Sequence, residues 1–164
     1  MNRLEHLREA IDGILRQQPD EYERRCGFVH LYGVATICAL LALKRGLDPE
    51  ICTVAGMLHD IWAYKVSPAD HARLGAAEAA KLLAECAGFT DEEVSLICRA
   101  IANHGDKGRI DDEMSEVLKD ADVLQYYLYN TSAETPDSRK KRLDRILDEM
   151  SATSVDGGQG HQNG

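Results

Sequence analysis

The sequence has few residues that favour β-sheets and few that interrupt helices. Aromatic residues make up 5% of its 164 residues, and there are 4 prolines. Alanine, leucine, isoleucine, glutamate and arginine are plentiful, and this mixture favours helix over sheet on intrinsic propensity. No stretch shows the alternation of a strand, and there is no convincing internal repeat. We therefore expect an all-α fold, and the length fits one domain with a substantial core.

The sequence also lacks an excess of basic residues. Its formal net charge is −9 at pH 7 and its pI is near 5.1. It therefore has no overall positive field of the kind that supplies most non-specific affinity for nucleic acids. A small molecule is the expected partner, and a nucleic-acid polymer is not.

Paired cysteines are missing as well. The cysteines are odd in number and scattered, and no two of them form a CxxC pair: Cys26, Cys38, Cys52, Cys86 and Cys98. This pattern predicts neither a disulfide framework nor a zinc finger. Most of these cysteines are interpreted as small buried residues in a reducing compartment.

A leader segment and a membrane span are not indicated either. The N-terminal stretch MNRLEHLREAIDGIL is charged and amphipathic, without the apolar segment of a signal peptide. The longest apolar run, Phe28 to Leu43, contains polar residues and glycine and is shorter than the roughly 20 residues of a membrane span. A cytoplasmic protein without a membrane partner is the simplest expectation.

Helix start and stop signals predict a bundle of about six to seven helices. The second of them is apolar on nearly every face, so we expect it to be the central helix. The third starts at Asp48-Pro49-Glu50, where a capping residue precedes a first-turn proline and an acid. The remaining helices are predicted before Pro19, from Ser67-Pro68 to Cys86, from Thr90 to Asn103, from Asp112 to Tyr129 and from Thr135 to Met150. One domain should cover residues 1–150, and a disordered tail residues 151–164.

A histidine and an aspartate stand side by side in GMLHDIWAY, residues 56–64. The pair His59-Asp60 alone is a weak signal, because a histidine on an apolar helix is usually a hydrogen-bonded core residue. His30 lies in the most apolar stretch, and Asp122 lies within the apolar pattern of a later helix. Leaving a buried polar group unsatisfied costs about 1–3 kcal/mol. A divalent cation would satisfy all four side chains at once.

The order of these four residues resembles that of the HD superfamily of metal-dependent phosphohydrolases, an all-helical family named for its adjacent His-Asp pair. VAGMLHDI is similar to the family's helix that ends in the pair, and KDADVL is similar to its late helix with the last aspartate. The resemblance covers roughly residues 22–130. It implies that His30, His59, Asp60 and Asp122 bind one metal, with His59 and Asp60 at the catalytic centre. Asp120, the rival to Asp122, is interpreted as an exposed or supporting carboxylate.

Two further histidines resemble the ligands of a second metal in the binuclear branch of the family, where the aspartate of the pair bridges both ions. They are His71, near the start of the fourth helix, and His104, at the end of the fifth. The alternative is that both are surface histidines at helix ends. The nitrogen and oxygen donors suit Mn²⁺, Fe²⁺, Co²⁺, Ni²⁺, Mg²⁺ or Zn²⁺ without distinguishing them. One or two divalent ions are the expected cofactor.

The resemblance implies hydrolysis of a small phosphorylated metabolite or nucleotide by a metal-activated water. Lys65, Lys107 and Arg109 are the cations nearest the motifs in sequence, so they are candidates to bind the phosphate, with solvated loop charges as the alternative. Trp62 and Tyr64 are interpreted either as walls of a substrate pocket or as packing for the helix exit.

Other functions stay open at this point. A di-iron oxygenase uses the same six ligands in some HD-type domains, and a non-catalytic module could bind a metal or a nucleotide as a sensor. Gln125 and Tyr126 depart from much of the family, because they follow an apolar pair where a further carboxylate is common. This departure weakens any transfer of a substrate from a relative. The oligomeric state is also open, a homodimer included.

Overall fold

The helices of the fold follow the local signals of the sequence closely. The computed structural model describes residues 2–67 and 69–152, and within these ranges it contains helices and no strands. The predicted all-α class is confirmed. The helices are α1 (Arg3–Arg16), α2 (Glu21–Arg45), α3 (Pro49–Leu58), α4 (Ile61–Lys65), α5 (His71–Cys86), α6 (Asp91–Asn103), α7 (Glu113–Tyr129) and α8 (Asp137–Ser151). The predicted tail lies outside the described residues beyond Ala152.

Among the helices of residues 2–67 and 69–152, α4 is the one that the sequence signals do not predict. The chain leaves α3 at His59 and makes this single turn, in which the carbonyl of Asp60 accepts from the N–H groups of Ala63 and Tyr64. Helix α5 then starts at His71 rather than near Ser67, after Asp70 with φ at 50°. The side chain of Asp60 makes no capping bond to α4. The helix break therefore leaves this carboxylate directed at the neighbouring helices.

Helix α2 is the central helix, and it packs most extensively against α3 and α7. By length and mean hydropathy, 2.0 in its most apolar window, it could also cross a membrane, but core helices of folded domains share these properties. Leu31, Val34 and Cys38 of α2 are fully buried in the main core cluster. A second, smaller cluster joins α7 to α8 through Val123, Leu124, Leu143 and Ile146.

Two glycines bring the backbones of neighbouring helices together at the end of α3. A Cβ atom on Gly56 would lie 2.6 Å from the Cα atom of Ala35 on α2. A Cβ atom on Gly75 of α5 would lie 3.2 Å from the carbonyl oxygen of His59, so the absence of a side chain at Gly75 permits this close approach. These contacts press the end of α3 between α2 and α5.

Candidate metal centre

The six candidate metal ligands meet at this point of the fold. They come from five different helices or their ends: His30 on α2, His59 and Asp60 after α3, His71 at the start of α5, His104 after α6 and Asp122 on α7. His59 and His104 are almost completely buried. The structure thus brings together residues that are up to 92 positions apart in the sequence (from 30 to 122).

Asp60 lies in the middle of this group, with each carboxylate oxygen facing different histidines. Its Oδ2 atom is 3.4 Å from Nε2 of His30 and 3.4 Å from Nε2 of His59. Its Oδ1 atom is 3.2 Å from Nε2 of His104 and 3.7 Å from Nε2 of His71. A carboxylate placed in this way can bridge two sites.

Two overlapping sets of donor atoms are close enough to hold a metal ion. In one set, donor atoms of His30, His59 and Asp122 all lie within 4.8 Å of one another. In the other, the same is true of His59, Asp60 and His104. His71 belongs to neither set, although it lies beside Asp60, and its ring is 5.2 Å from that of His104.

Acceptors behind the buried histidines fix which ring nitrogen carries the proton. Nδ1 of His59 is 2.8 Å from the carbonyl oxygen of Gly56, and Nδ1 of His104 is 2.6 Å from that of Ile101. A carbonyl oxygen can only accept, so Nδ1 must donate, and the neutral ring then has its lone pair on Nε2. Both lone pairs are directed into the group of ligands. Such an acceptor behind a histidine is the arrangement that orients metal-binding imidazoles.

His30 is oriented in the same way by a side chain. Its Nδ1 atom is 2.7 Å from Oε1 of Gln125, and its Nε2 atom is 3.1 Å from Nε2 of His59. When both Nδ1 atoms carry the protons of neutral rings, these two Nε2 atoms present only lone pairs to each other. A proton or a cation must then lie near them. The donor set therefore fits a divalent ion.

The pKa values of these groups reflect both their burial and the charges of their neighbours. Complete burial lowers the pKa of His59 to about 4, so this imidazole is neutral near pH 7. Burial also acts against a charge on His30, but the carboxylates of Asp60 and Asp122 outweigh it and raise the pKa of His30. Burial opposes the charge on Asp122 too, yet the Lys107 ammonium holds the pKa of that carboxyl well below its usual value. Positive charge is thus needed beside both carboxylates.

A cavity of about 710 Å³ opens over the candidate ligands. Of the three cations predicted to bind phosphate, only Lys107 is among the residues that line it. Its Nζ atom pairs with Asp122 and donates to the carbonyl of His104 over 2.7 Å. Lys65 instead pairs with Glu78, and Arg109 pairs with Asp111 over 3.0 Å. The cavity has a second cation, Arg139 of α8, which the sequence does not indicate.

Asp120 does not face the candidate ligands, and it is completely buried, so its interpretation as an exposed carboxylate is wrong. Its oxygens lie 2.6 to 2.7 Å from the guanidinium groups of Arg45, Arg142 and Arg145. Residues two apart on a helix point to different sides. Asp122 therefore faces the cavity while Asp120 joins α7 to α2 and α8.

The two aromatic residues after the His-Asp pair have different surroundings. Tyr64 lines the cavity next to His30 and Asp60. Trp62 does not line it, and its side chain packs near Gly75 on α5. Among the described residues, its indole Nε1 is a buried side-chain atom without a hydrogen-bond partner. Tyr64 thus has the position expected of a pocket wall, and Trp62 that of packing.

Gln125 and Tyr126 are residues of the site to which the sequence assigns no role. Gln125 lies three residues, about one helical turn, after Asp122, which places both on the same side of α7. This spacing is the feature of the sequence that indicates a position for Gln125 near the candidate ligands. Tyr126 lines the cavity, with the guanidinium carbon of Arg139 at 4.7 Å from its ring centre. No local pattern in the sequence indicates that α8 would reach the cavity.

A helical fold that gathers histidines around an adjacent His-Asp pair defines a class of metal-dependent hydrolases. The HD domain family model matches residues 27–127 of this chain, and the chain belongs to the HD superfamily. HD domains bind divalent metal ions, and the two sets of donor atoms described above could hold such an ion.

Similar proteins agree with this assignment. The chain is 25% identical over 158 residues to YueE of Bacillus subtilis (strain 168), which carries the name "Putative phosphohydrolase", with 82% of this chain and 89% of the relative covered. A crystal structure of a predicted HD superfamily hydrolase from an uncultured Thermotogales bacterium matches with a TM-score of 0.59 and 26% identity, covering 92% of this chain and 94% of that one. Family and relatives support a metal-dependent phosphohydrolase in general.

Proposed function

We propose that the protein hydrolyses a phosphate ester of a small metabolite or nucleotide with two divalent metal ions. The observation that carries this proposal is that the Nε2 atoms of His30, His59 and His104 all lie within 3.4 Å of the carboxylate oxygens of Asp60. Neutral donors of this kind repel one another unless a cation lies between them. The expected cytoplasmic location is part of the same proposal.

The proposed ligands divide into two sets that share Asp60. His30, His59 and Asp122 would hold one ion together with Asp60, and His71 and His104 would hold the other. Divalent ions supply activation of water near neutral pH and neutralisation of charge on the phosphate oxygens. Lys107 fixes the orientation of Asp122 and adds a positive charge to the cavity wall.

A screen of purified protein with added metals tests this function. Phosphate release from a panel of phosphate monoesters and nucleotides is measured with Mn²⁺, Fe²⁺, Co²⁺, Ni²⁺, Mg²⁺ and Zn²⁺ in turn. Release with at least one metal is expected. If metal-loaded protein releases no phosphate, the proposal is wrong. Oxygen consumption by the iron-loaded protein would then indicate the oxygenase, and nucleotide binding without turnover would indicate the sensor module.

Replacing Gln125 by leucine should weaken metal binding by about 10- to 100-fold, because the ring of His30 loses the acceptor that orients it. Calorimetric titration of metal-free protein with Mn²⁺ measures this. Gln125→Glu keeps an acceptor for Nδ1 and should bind at least as tightly as the wild type. Gln17→Leu, a change at an exposed position, is the control. Equal affinities of Gln125→Leu and wild type would show that the His30–Gln125 bond does not support the site.

Replacing Lys107 by methionine should lower kcat/KM by about 100-fold, because the cavity loses a cation that stabilises charge on the phosphate oxygens. Arg109→Met is a matched control from the same loop: Arg109 is absent from the cavity wall, and its partner Asp111 keeps its ion pair with Lys119. The control should change kcat/KM less than 3-fold. Similar losses in both variants would mean that Lys107 acts only through the loop's structure.

A further inference from the structure

A second, smaller pocket of about 270 Å³ lies beside the metal-centre cavity. Its wall is largely aromatic and apolar, and it is built from Tyr64, Tyr126, Tyr129, Cys26 and Val29. Three of the six tyrosines of the chain are thus gathered here. No aromatic residue belongs to the buried core within the described part of the chain. These three tyrosines therefore meet at a surface pocket, and Phe28, Tyr32 and Phe89 pack against the edge of the main core.

This tyrosine pocket adjoins the metal-centre cavity, and the two share part of their walls. His30, Tyr64 and Tyr126 line both of them. Gln125, whose side chain accepts from His30, lines the tyrosine pocket only. A molecule with one polar end among the candidate ligands could therefore reach the tyrosines with its other end.

The chemistry of the wall indicates which group would fit. None of the residues that line the tyrosine pocket is Asp, Glu, Lys or Arg, so a second charged group would find no partner there. Several hydroxyls of a sugar would also be poorly matched by an apolar wall. Complete ligand sites usually measure about 300–1,000 Å³. A pocket just below that range suits one flat ring that packs against aromatic side chains.

We propose that the tyrosine pocket binds an aromatic ring in the alcohol part of the substrate. The substrate class is then a phosphate monoester whose leaving group is an alcohol that carries such a ring. This inference rests on the proposed phosphohydrolase function, since it assumes that the phosphate binds at the metal centre. Tyr129 is the residue best suited to a test, because it lines this pocket but not the metal-centre cavity, and it is 54% exposed.

The test compares benzyl phosphate with ethyl phosphate on the Mn²⁺-loaded protein. Both esters release an unactivated alkoxide, so their chemical steps are matched and a preference reports on binding of the ring. The wild type should prefer benzyl phosphate in kcat/KM. Tyr129→Ala should reduce this preference about 5- to 10-fold, the effect of losing one aromatic contact. Tyr129→Phe keeps the ring and should keep the preference.

Leu128→Ala is the matched control, because Leu128 is the neighbouring residue on α7, is 55% exposed and does not line the tyrosine pocket. It should leave the preference unchanged. A wild type without preference, or a preference that survives in Tyr129→Ala, would overturn the proposed pocket while leaving the hydrolase function intact.

A binding measurement separates the pocket from the hydrolase function. Benzylphosphonate and ethylphosphonate cannot be hydrolysed at the ester position, and their affinities for Mn²⁺-loaded protein are measured by calorimetry. Tighter binding of benzylphosphonate that is lost in Tyr129→Ala would support the pocket even if neither ester is hydrolysed, and only the hydrolase function would then fail. Equal binding of the two phosphonates would overturn the pocket.

Discussion

Replacing Asp60 by alanine should abolish phosphate-ester hydrolysis and reduce the metal content of the protein. Its two oxygens face different histidines, with Oδ2 near His30 and His59 and Oδ1 near His104 and His71. Its removal takes one ligand from both proposed ions at once. Metal ions contribute several kcal/mol to stabilisation of the transition state, so we expect kcat/KM to fall by at least about 1,000-fold. Phosphate release and elemental analysis of the purified protein measure the two effects.

Two variants make this result interpretable. Asp144→Ala removes an exposed carboxylate on α8 and should keep full metal content and activity. His104→Ala should keep one ion per chain, because the donors of His30, His59 and Asp122 are unaffected. An Asp60→Ala protein that is folded, fully metallated and active would disprove the proposed centre. A wild type with one ion, unchanged in His104→Ala, would show that His104 does not hold a second ion.

Two of the candidate ligands could be predicted from the sequence because they are costly where the helical pattern places them. His30 and Asp122 lie within apolar helical patterns, and polar groups there need a partner. The adjacent pair His59-Asp60 completes a set of four, the family resemblance adds His71 and His104, and the structure brings all six together. The assignment of individual ligands to ions stays a prediction.

Of the two lysine and arginine side chains that line the cavity, only Lys107 could be predicted from the sequence. Nearness in sequence to a motif does not determine where the charged group of a long side chain at the end of a helix will lie. Lys65 follows the His-Asp pair by only five residues, yet its ammonium group pairs with Glu78 on α5. Arg139 is far from every motif, yet it lines the cavity. Which partner a charged side chain takes depends on how the helices pack.

The role of α8 could not be predicted for the same reason. Its many charged residues suggest a solvated surface helix, but Arg142 is 8% exposed. Its guanidinium group donates to the carbonyl of Lys107 over 3.0 Å and pairs with Asp120 and Glu116. Helix α8 thus anchors the loop that contains Lys107, the residue whose ammonium group pairs with Asp122. Breaking a buried pair of this kind typically costs about 3–5 kcal/mol, which makes α8 a structural support of the candidate site.

Replacing Gly56 by alanine should both destabilise the fold and weaken metal binding. Alanine favours a helix over glycine by about 1 kcal/mol. A glycine-to-alanine change in a helix with free space around it would therefore increase the stability of the protein. Here the new Cβ would lie 2.6 Å from Cα and 2.8 Å from N of Ala35, and backbone atoms cannot rotate away as a side chain can. Helices α2 and α3 must separate, and such overpacking typically costs 1–3 kcal/mol or more. We expect a net loss of about 2 kcal/mol, measured by urea unfolding of the metal-free protein.

Gly13→Ala is the matched control, because Gly13 lies within α1 and a Cβ there would have no atom within 4 Å. It should leave the protein equally stable or more stable. Equal stability of the two variants would show that α2 and α3 are not in close contact at Gly56.

The same contact also positions the metal ligands, which gives the Gly56→Ala variant a second measurable effect. The carbonyl of Gly56 accepts from Nδ1 of His59, and Ala35 lies five residues after His30 on α2. The Nε2 atoms of His59 and His30 are 3.1 Å apart. Separating the two helices moves these two atoms away from each other. Affinity for Mn²⁺ should therefore fall in Gly56→Ala and stay unchanged in Gly13→Ala. Normal affinity in a destabilised Gly56→Ala protein would mean that the ligands are held in place without this helix contact.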